Sequence, residues 1–217
     1  EATTKYFIIQ AAAAANILLA STINAWQTGH WSILHTNSTI ATALATSALM
    51  LKLGLAPAHL WYPEVMQGTT LYTAMLISTW QKIAPLTLLY LMHNNLNPTM
   101  ILLLGLISTA TGGWAGLNQT QTRKIMAFSS IAHMGWLLTA LMCNQNLATL
   151  TMLLYLSITT AIFTTLATTT TKTIMDIGTT WTTSPAMLTM TLIMLMSLAG
   201  LPPLTGFMPK WLIMKNL

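Results

Sequence analysis

Long stretches without a charged side chain limit most strongly what this chain can fold into. Four such runs, at 6–51, 83–122, 125–171 and 177–209, separate the few charges. Charged residues make up 5% of the 217 residues, whereas an average soluble domain carries roughly 25%. A helix needs about 20 apolar residues to cross the hydrocarbon core of a membrane, and every run is longer than that. The chain is therefore predicted to be a polytopic membrane protein.

The runs predict helices and exclude a β-barrel, because barrel strands alternate apolar and polar residues over about ten positions. Polar clusters with turn-forming residues divide the chain into seven apolar segments. The predicted helices cover 6–25, 39–61, 70–92, 98–117, 124–143, 147–167 and 185–217, the last one broken at 200–206. We expect an all-α transmembrane bundle of about seven spans, two of them broken, that forms a single domain over 1–217.

Composition also excludes several kinds of site. Cys143 is the single cysteine, so the chain alone can build neither a disulfide nor a cysteine-based metal or iron–sulfur centre. Neither a G-x-G-x-x-G nor a Walker A pattern occurs, and Arg123 and Lys124 are the only adjacent basic residues. We therefore expect no dinucleotide, ATP or metal site and no nucleic-acid partner. The absence of an initial Met and the apolar end predict a fragment of a longer protein.

The positive charges outside the apolar segments predict the orientation. If successive helices alternate in direction, the amino terminus and the loops at 62–69, 118–124 and 168–184 share one side. That side carries four basic residues, Lys5, Arg123, Lys124 and Lys172, and the loops of the opposite side carry none. Loops with excess Lys and Arg face the cytoplasm or its organellar equivalent. The formal charge of +5 therefore reports topology.

Three other lysines lie within predicted membrane segments. Lys52 and Lys82 are near the middle of the second and third segments, and Lys210 follows the break in the seventh. A cation at the bilayer centre costs about 2.5 to 3.5 kcal/mol on insertion scales. Each lysine could instead snorkel or pair with a carboxylate. The three available carboxylates are all predicted near one membrane face, so we favour a functional, water-contacting role for the lysines.

Helix breaks accompany these lysines. Pro57 removes a backbone hydrogen bond shortly after Lys52, and Pro202 and Pro203 interrupt the seventh segment before Lys210. Irregular backbone at membrane depth is tolerated where it is buried in protein or lines an aqueous cavity, as in transporters. The second and seventh segments cross in opposite directions, and each combines a break with a lysine. This pattern is typical of an inverted-topology repeat.

Histidines give weaker signals. His133 falls midway along the fifth predicted helix and His59 lies in the broken second one, so each is either a proton relay or a hydrogen-bonded core residue. His30, His35 and His93 fall in predicted loops and are expected to be solvated.

Five ordered motifs resemble the antiporter-like subunits of respiratory NADH:quinone oxidoreductase. They are KLGLAPAHLWYPE at 52–64, WQK at 80–82, GLNQTQTRK at 116–124, SSIAHMG at 129–135 and GLPPLTG at 200–206. The resemblance covers essentially the whole chain, and two of the motifs have the form of vertebrate mitochondrial members.

The resemblance implies a proton-translocating subunit of the mitochondrial inner membrane. In that family, buried lysines and glutamates joined by water carry protons while other subunits reduce quinone. Lys52, Lys82 and Lys210 match the central charged axis, and His133 matches a polar relay position. NADH, FMN, iron–sulfur clusters and ubiquinone would belong to other subunits, with this chain binding none of them. The family glutamate that pairs with the first lysine has no match here.

Two alternatives stay open on the residues alone. The chain could come from a stand-alone cation/proton antiporter with the same fold, or from a structural membrane subunit whose lysines are inert. If the chain belongs to the respiratory oxidoreductase, whether it transports protons or is only structural, its expected partners are the lipid bilayer and the other membrane subunits.

Overall fold

The computed structural model describes residues 1–32, 38–182 and 184–217, so the loop residue His35 lies outside the described residues. The described part is helical, and the all-α prediction is confirmed. The helices are α1 (Ala2–Thr28), α2 (Thr39–Leu53), α3 (Trp61–Gly68), α4 (Leu71–Ser78), α5 (Trp80–Met92), α6 (Pro98–Leu117), α7 (Thr122–Cys143), α8 (Gln145–Thr169), α9 (Ile174–Thr179), α10 (Pro185–Ala199) and α11 (Phe207–Asn216). Short 3₁₀ turns follow α5 at His93–Asn95 and α9 at Thr180–Thr182.

Four helices of the described residues are individually long and apolar enough to cross a membrane. They are α1, α6, α7 and α8. The helix α6 has the bounds that the sequence predicts, whereas the other three extend beyond the predicted 6–25, 124–143 and 147–167. The remaining apolar segments are each divided into two shorter helices.

The second segment differs from the helix predicted over 39–61. The helix α2 ends at Leu53, where Gly54 adopts a left-handed conformation with φ 69°, and the chain is irregular until α3 begins at Trp61. The predicted turn at 62–64 is instead the first turn of α3. Pro63 fits there because the first N–H groups of a helix have no intrahelical acceptor.

The third segment, predicted as one helix over 70–92, is broken at Thr79. The N–H of Lys82 donates to the Thr79 carbonyl at 3.3 Å instead of reaching the Ser78 carbonyl one turn back. Pro85 then leaves the Gln81 carbonyl without its helical donor. The chain therefore has three broken segments, where the sequence predicts two.

The seventh segment breaks where the sequence predicts. The helix α10 ends at Gly200, which is left-handed with φ 84°, and α11 begins at Phe207. Pro202 and Pro203 lie between them on the exposed side, as Pro57 does in the first break. At Gly206 the chain returns so close to α10 that an added Cβ would overlap the carbonyl oxygen of Ser197.

Loops predicted to share one side of the membrane are joined in the structure. Lys5 forms an ion pair with Glu64, and the Arg123 guanidinium donates to the Thr69 carbonyl at 2.6 Å. A short antiparallel bridge pairs Gln121 with Thr173. At the opposite end, the Gln145 amide and the His93 ring approach to 3.0 Å.

The connection at 168–184, predicted only as a loop, contains the short helix α9. Thr173 caps it, because its side chain accepts from the Asp176 N–H and the Asp176 carboxylate accepts from the Thr173 N–H. The backbone N–H groups of Thr173 and Lys172 that donate to this carboxylate hold the pKa of Asp176 below its usual value. The acidic residue therefore orders the loop in its ionised form.

Small residues allow α6 and α7 to pack backbone against backbone. A Cβ at Gly112 would lie 2.7 Å from the Ala132 amide nitrogen, and one at Gly135 would lie 2.6 Å from the Gly105 carbonyl oxygen. Real Cβ atoms do not approach so closely, so only glycine fits. Close approach of this kind stabilises helix pairs in membranes, where hydrophobic burial adds little.

We predict that Gly112→Ala in the full-length protein lowers its stability by about 1 to 3 kcal/mol, because α6 and α7 must separate to admit the methyl group. Gly113→Ala is the matched control, since a Cβ at Gly113 meets nothing within 4 Å. The thermal unfolding midpoint of each purified variant measures the difference. Equal midpoints for the two variants would contradict the packing argument.

Candidate functional site

Lys82 lies inside the bundle, with 2% of its surface exposed. Within the described residues its Nζ has no hydrogen-bond partner. Two ring faces cover it instead, with centroids 4.7 Å away for Tyr62 and 5.5 Å away for Tyr155. Both distances are within the range of cation–π attraction. The buried ammonium group is therefore held by aromatic faces.

Tyr155 connects Lys82 to the next polar group. Its hydroxyl donates to the Ser78 carbonyl at 3.0 Å, at the break between α4 and α5. Its ring centroid lies 5.6 Å from that of His133. The hydroxyl of Tyr62, on α3, is buried and has no hydrogen-bond partner among the described residues. Polar atoms from α3, α5, α7 and α8 thus meet around one buried position.

His133 and Lys210 meet at the second break. The His133 Nε2 atom lies 3.0 Å from the Leu198 carbonyl oxygen. A carbonyl only accepts, so this geometry assigns a proton to Nε2. Lys210 Nζ donates to the Ala199 carbonyl at 2.9 Å and to the same Leu198 carbonyl at 3.4 Å. One backbone oxygen therefore links the two side chains.

Pro202 and Pro203 withdraw the helical donors of the Leu198 and Ala199 carbonyls, and the sequence predicts Thr205, water or neighbouring helices as their replacements. The structure corrects this prediction in one respect. Lys210 itself folds back over Gly200, where an added Cβ would lie 2.8 Å from Nζ. The flexible four-carbon stem of lysine makes this return possible.

A small cavity of about 20 Å³ separates these groups, with His133, Thr151, Tyr155 and Lys210 in its wall. One water molecule needs roughly 10 to 15 Å³ and two or more polar partners. The cavity therefore has the size and the polar groups to hold a single water between the imidazole and the amine.

Lys52 and His59 are the other predicted site residues, and they make none of the contacts described above. Lys52 is half-buried in the last turn of α2, where a positive charge favours the carbonyl end of a helix. His59 is in the irregular stretch after Gly54, and its Nδ1 is buried without a partner among the described residues. The contacts described above thus join Lys82, His133 and Lys210, and neither Lys52 nor His59 makes one of them.

Sequence reasoning missed both tyrosines of the site. Tyrosines in membrane proteins usually lie in belts near the helix ends. Tyr155 instead lies near the middle of α8. That depth was the available signal, because a buried hydroxyl at membrane level needs an acceptor.

The arrangement can hold and pass protons. An amine, an imidazole and a space of water size follow one another across the bundle, and tyrosine hydroxyls lie beside them. Such groups in discontinuous helices at membrane depth characterise ion-conducting transport proteins.

Comparison with solved structures indicates the class. The fold is similar to a chain of "Respiratory complex I from Thermus thermophilus with bound Aureothin", with a TM-score of 0.89 and 29% identity over 100% of this chain and 52% of that one. It is also similar to a chain of the "Mrp complex from Dietzia sp. DQ12-45-1b", with a TM-score of 0.89 and 19% identity over 99% of this chain and 44% of that one. The chain therefore has the fold of antiporter-like membrane subunits.

The family model described as "NADH:quinone oxidoreductase/Mrp antiporter, TM" matches residues 1–217, and the chain belongs to this family. It is 52% identical to "NADH-ubiquinone oxidoreductase chain 2" of Carassius auratus and 50% identical to the protein of that name from Struthio camelus. Both matches cover 100% of this chain, which spans 62% and 63% of the length of those relatives.

We predict that Lys210→Met lowers the stability of the full-length protein by about 1 to 3 kcal/mol, because a carbonyl at the break loses its donor. Lys215→Met is the control, since Lys215 is exposed on the same helix. The two variants can be compared by the thermal unfolding midpoint of the purified protein. If Lys210→Met unfolds at the same temperature as Lys215→Met, the capping role is wrong.

Proposed function

We propose that this chain is part of a proton-translocating membrane subunit of respiratory NADH:ubiquinone oxidoreductase in the mitochondrial inner membrane. It would be the counterpart of the proteins named NADH-ubiquinone oxidoreductase chain 2. The observation that carries the proposal is the row of Lys82, Tyr155, His133 and Lys210 across two broken segments. The 50–52% identity to relatives of that name supports it.

In the proposed mechanism, Lys82 and Lys210 hold protons and His133 passes them through its ring nitrogens. Lys52 would lie on the same route, toward parts of the protein outside this chain. A charge that arrives beside a desolvated lysine changes the affinity of the amine for its proton, because electrostatic interactions are strong in a low dielectric. Moving one charge against 100 mV requires about 2.3 kcal/mol.

Under this proposal, the energy comes from electron transfer on other subunits of the assembly. Those subunits would hold NADH, FMN, the iron–sulfur clusters and ubiquinone. This chain would contribute the lysines, the histidine and the broken helices that admit water, and its partners would be neighbouring membrane subunits and lipid.

The alternative of a stand-alone cation/proton antiporter is less well supported. The likeness to the Mrp chain, at 19% identity, concerns the fold alone. Expression of the full-length protein by itself in sealed vesicles separates the two functions. Proton flux driven by a cation gradient, without NADH or quinone, would favour the antiporter.

Substitution of Lys82 tests the proposed proton translocation most directly. We predict that Lys82→Met and Lys82→Arg both slow NADH-driven proton pumping in the assembled oxidoreductase by about tenfold or more, because positioned proton-transfer groups contribute roughly 10² to 10⁴-fold. Arg stays charged and cannot take the neutral form. The exposed Lys215→Arg is the control. An unchanged rate of proton pumping, together with an unchanged ratio of protons pumped to electrons transferred, in both Lys82 variants would remove Lys82 from the route.

The orientation gives a second prediction. The end with Lys5, Arg123 and Lys172 should face the matrix, because basic loops stay on that side. In a background in which the native cysteine is removed by Cys143→Ser, a cysteine introduced by Lys172→Cys should react with a membrane-impermeant maleimide in inverted vesicles but not in mitoplasts. Asn144→Cys, at the other end of α7, should give the opposite result. Reaction of Lys172→Cys in intact mitoplasts would reverse the assigned topology.

A further inference from the structure

Tyr155 is buried, with 4% of its surface exposed, near the middle of α8. It contacts three separate parts of the site. Its hydroxyl binds the Ser78 carbonyl, its ring lies against the Lys82 amine, and its ring also packs on His133. These contacts join residues from α4, α5 and α7 through a single side chain.

The Tyr155 hydroxyl provides a hydrogen-bond donor at the break in the third segment. The N–H of Lys82 donates to Thr79 and not to Ser78, so the Ser78 carbonyl loses the donor it would have in a continuous helix. Ser78 is 1% exposed, and a buried carbonyl without a donor is costly. The Tyr155 hydroxyl supplies the missing donor. It thereby fixes the backbone from which Lys82 emerges.

The contact of the ring acts on the charge. In the part of the chain that the structure describes, no acceptor binds Lys82 Nζ. The faces of the Tyr62 and Tyr155 rings contact the amine instead. An ammonium group over an aromatic face is attracted by the negative charge of that face, most strongly where water is excluded. Tyr62 packs closely against Gly54, where an added Cβ would lie 3.2 Å from the Tyr62 Cβ.

We propose that Tyr155 is a positioning residue, which holds the charged side chain of Lys82 against its ring and aligns it with His133. This role rests on the proposed proton-transfer function. Tyr155 transfers no proton itself in this scheme, because its hydroxyl is committed to a backbone carbonyl. It determines where the proton on Lys82 is held and which group it faces next.

The test compares two substitutions in the assembled oxidoreductase. Tyr155→Phe keeps the ring and loses only the bond to Ser78. Tyr155→Leu also loses the contacts of the ring with Lys82 and His133. We expect Tyr155→Leu to slow proton pumping by about tenfold and Tyr155→Phe to retain most of it. Tyr90→Leu is the control, because Tyr90 is half-buried on α5 and its hydroxyl makes no hydrogen bond within the described residues. Normal pumping in Tyr155→Leu would overturn the proposal.

A second measurement distinguishes positioning from packing without relying on pumping. The thermal midpoint is measured for Tyr155→Leu in the wild-type background and in the Lys82→Met background. If Tyr155 acts on the Lys82 charge, its loss lowers the midpoint more when Lys82 is present. An equal decrease in both backgrounds would mean ordinary packing and would overturn the proposal. Normal pumping by Lys82→Met alone would instead contradict the proposed function of Lys82.

Discussion

A backbone carbonyl released by a helix break inside a membrane must find a donor within the protein, because lipid offers none. The arrangement of this site follows from that requirement. The Ser78 carbonyl is satisfied by Tyr155, and the Leu198 and Ala199 carbonyls by His133 and Lys210. The side chains that repair the breaks are therefore the same ones that line the candidate route. In the proposed mechanism, stability and proton transfer would therefore depend on the same atoms.

Two of the breaks are built alike and used differently. The helices α2 and α10 each end at a glycine in the left-handed conformation, Gly54 and Gly200, which a side chain would strain. Lys52 precedes the first glycine and makes none of the contacts that join Lys82, His133 and Lys210. Lys210 follows the second and returns to cover it. The similarity that predicts an inverted repeat thus concerns the backbone more than the placement of the amines.

The sequence predicts the helical class, the position of Lys82 within an apolar segment and the break at 200–206, because uncharged runs and paired prolines are local signals. The break at Thr79 has no such signal. The donor that satisfies its freed Ser78 carbonyl is the hydroxyl of Tyr155, which lies on α8 and is distant in the sequence. The folding back of Lys210 was missed for a similar reason, since a helical register alone places its amine beyond the break. The helix α2 ends before Pro57, because Gly54 adopts a left-handed conformation that a lone glycine in a sequence does not reveal.

The bond from Lys210 to the carbonyls of Leu198 and Ala199 has a genetic consequence. Every residue type carries a backbone carbonyl, so no substitution at 198 or 199 deletes the acceptor, and those positions can diverge without compensating changes at 210. Methods that infer contacts from co-varying pairs would not detect this link. Selection would act instead on Gly200 and Gly206, whose missing side chains leave room for the lysine and for the returning chain.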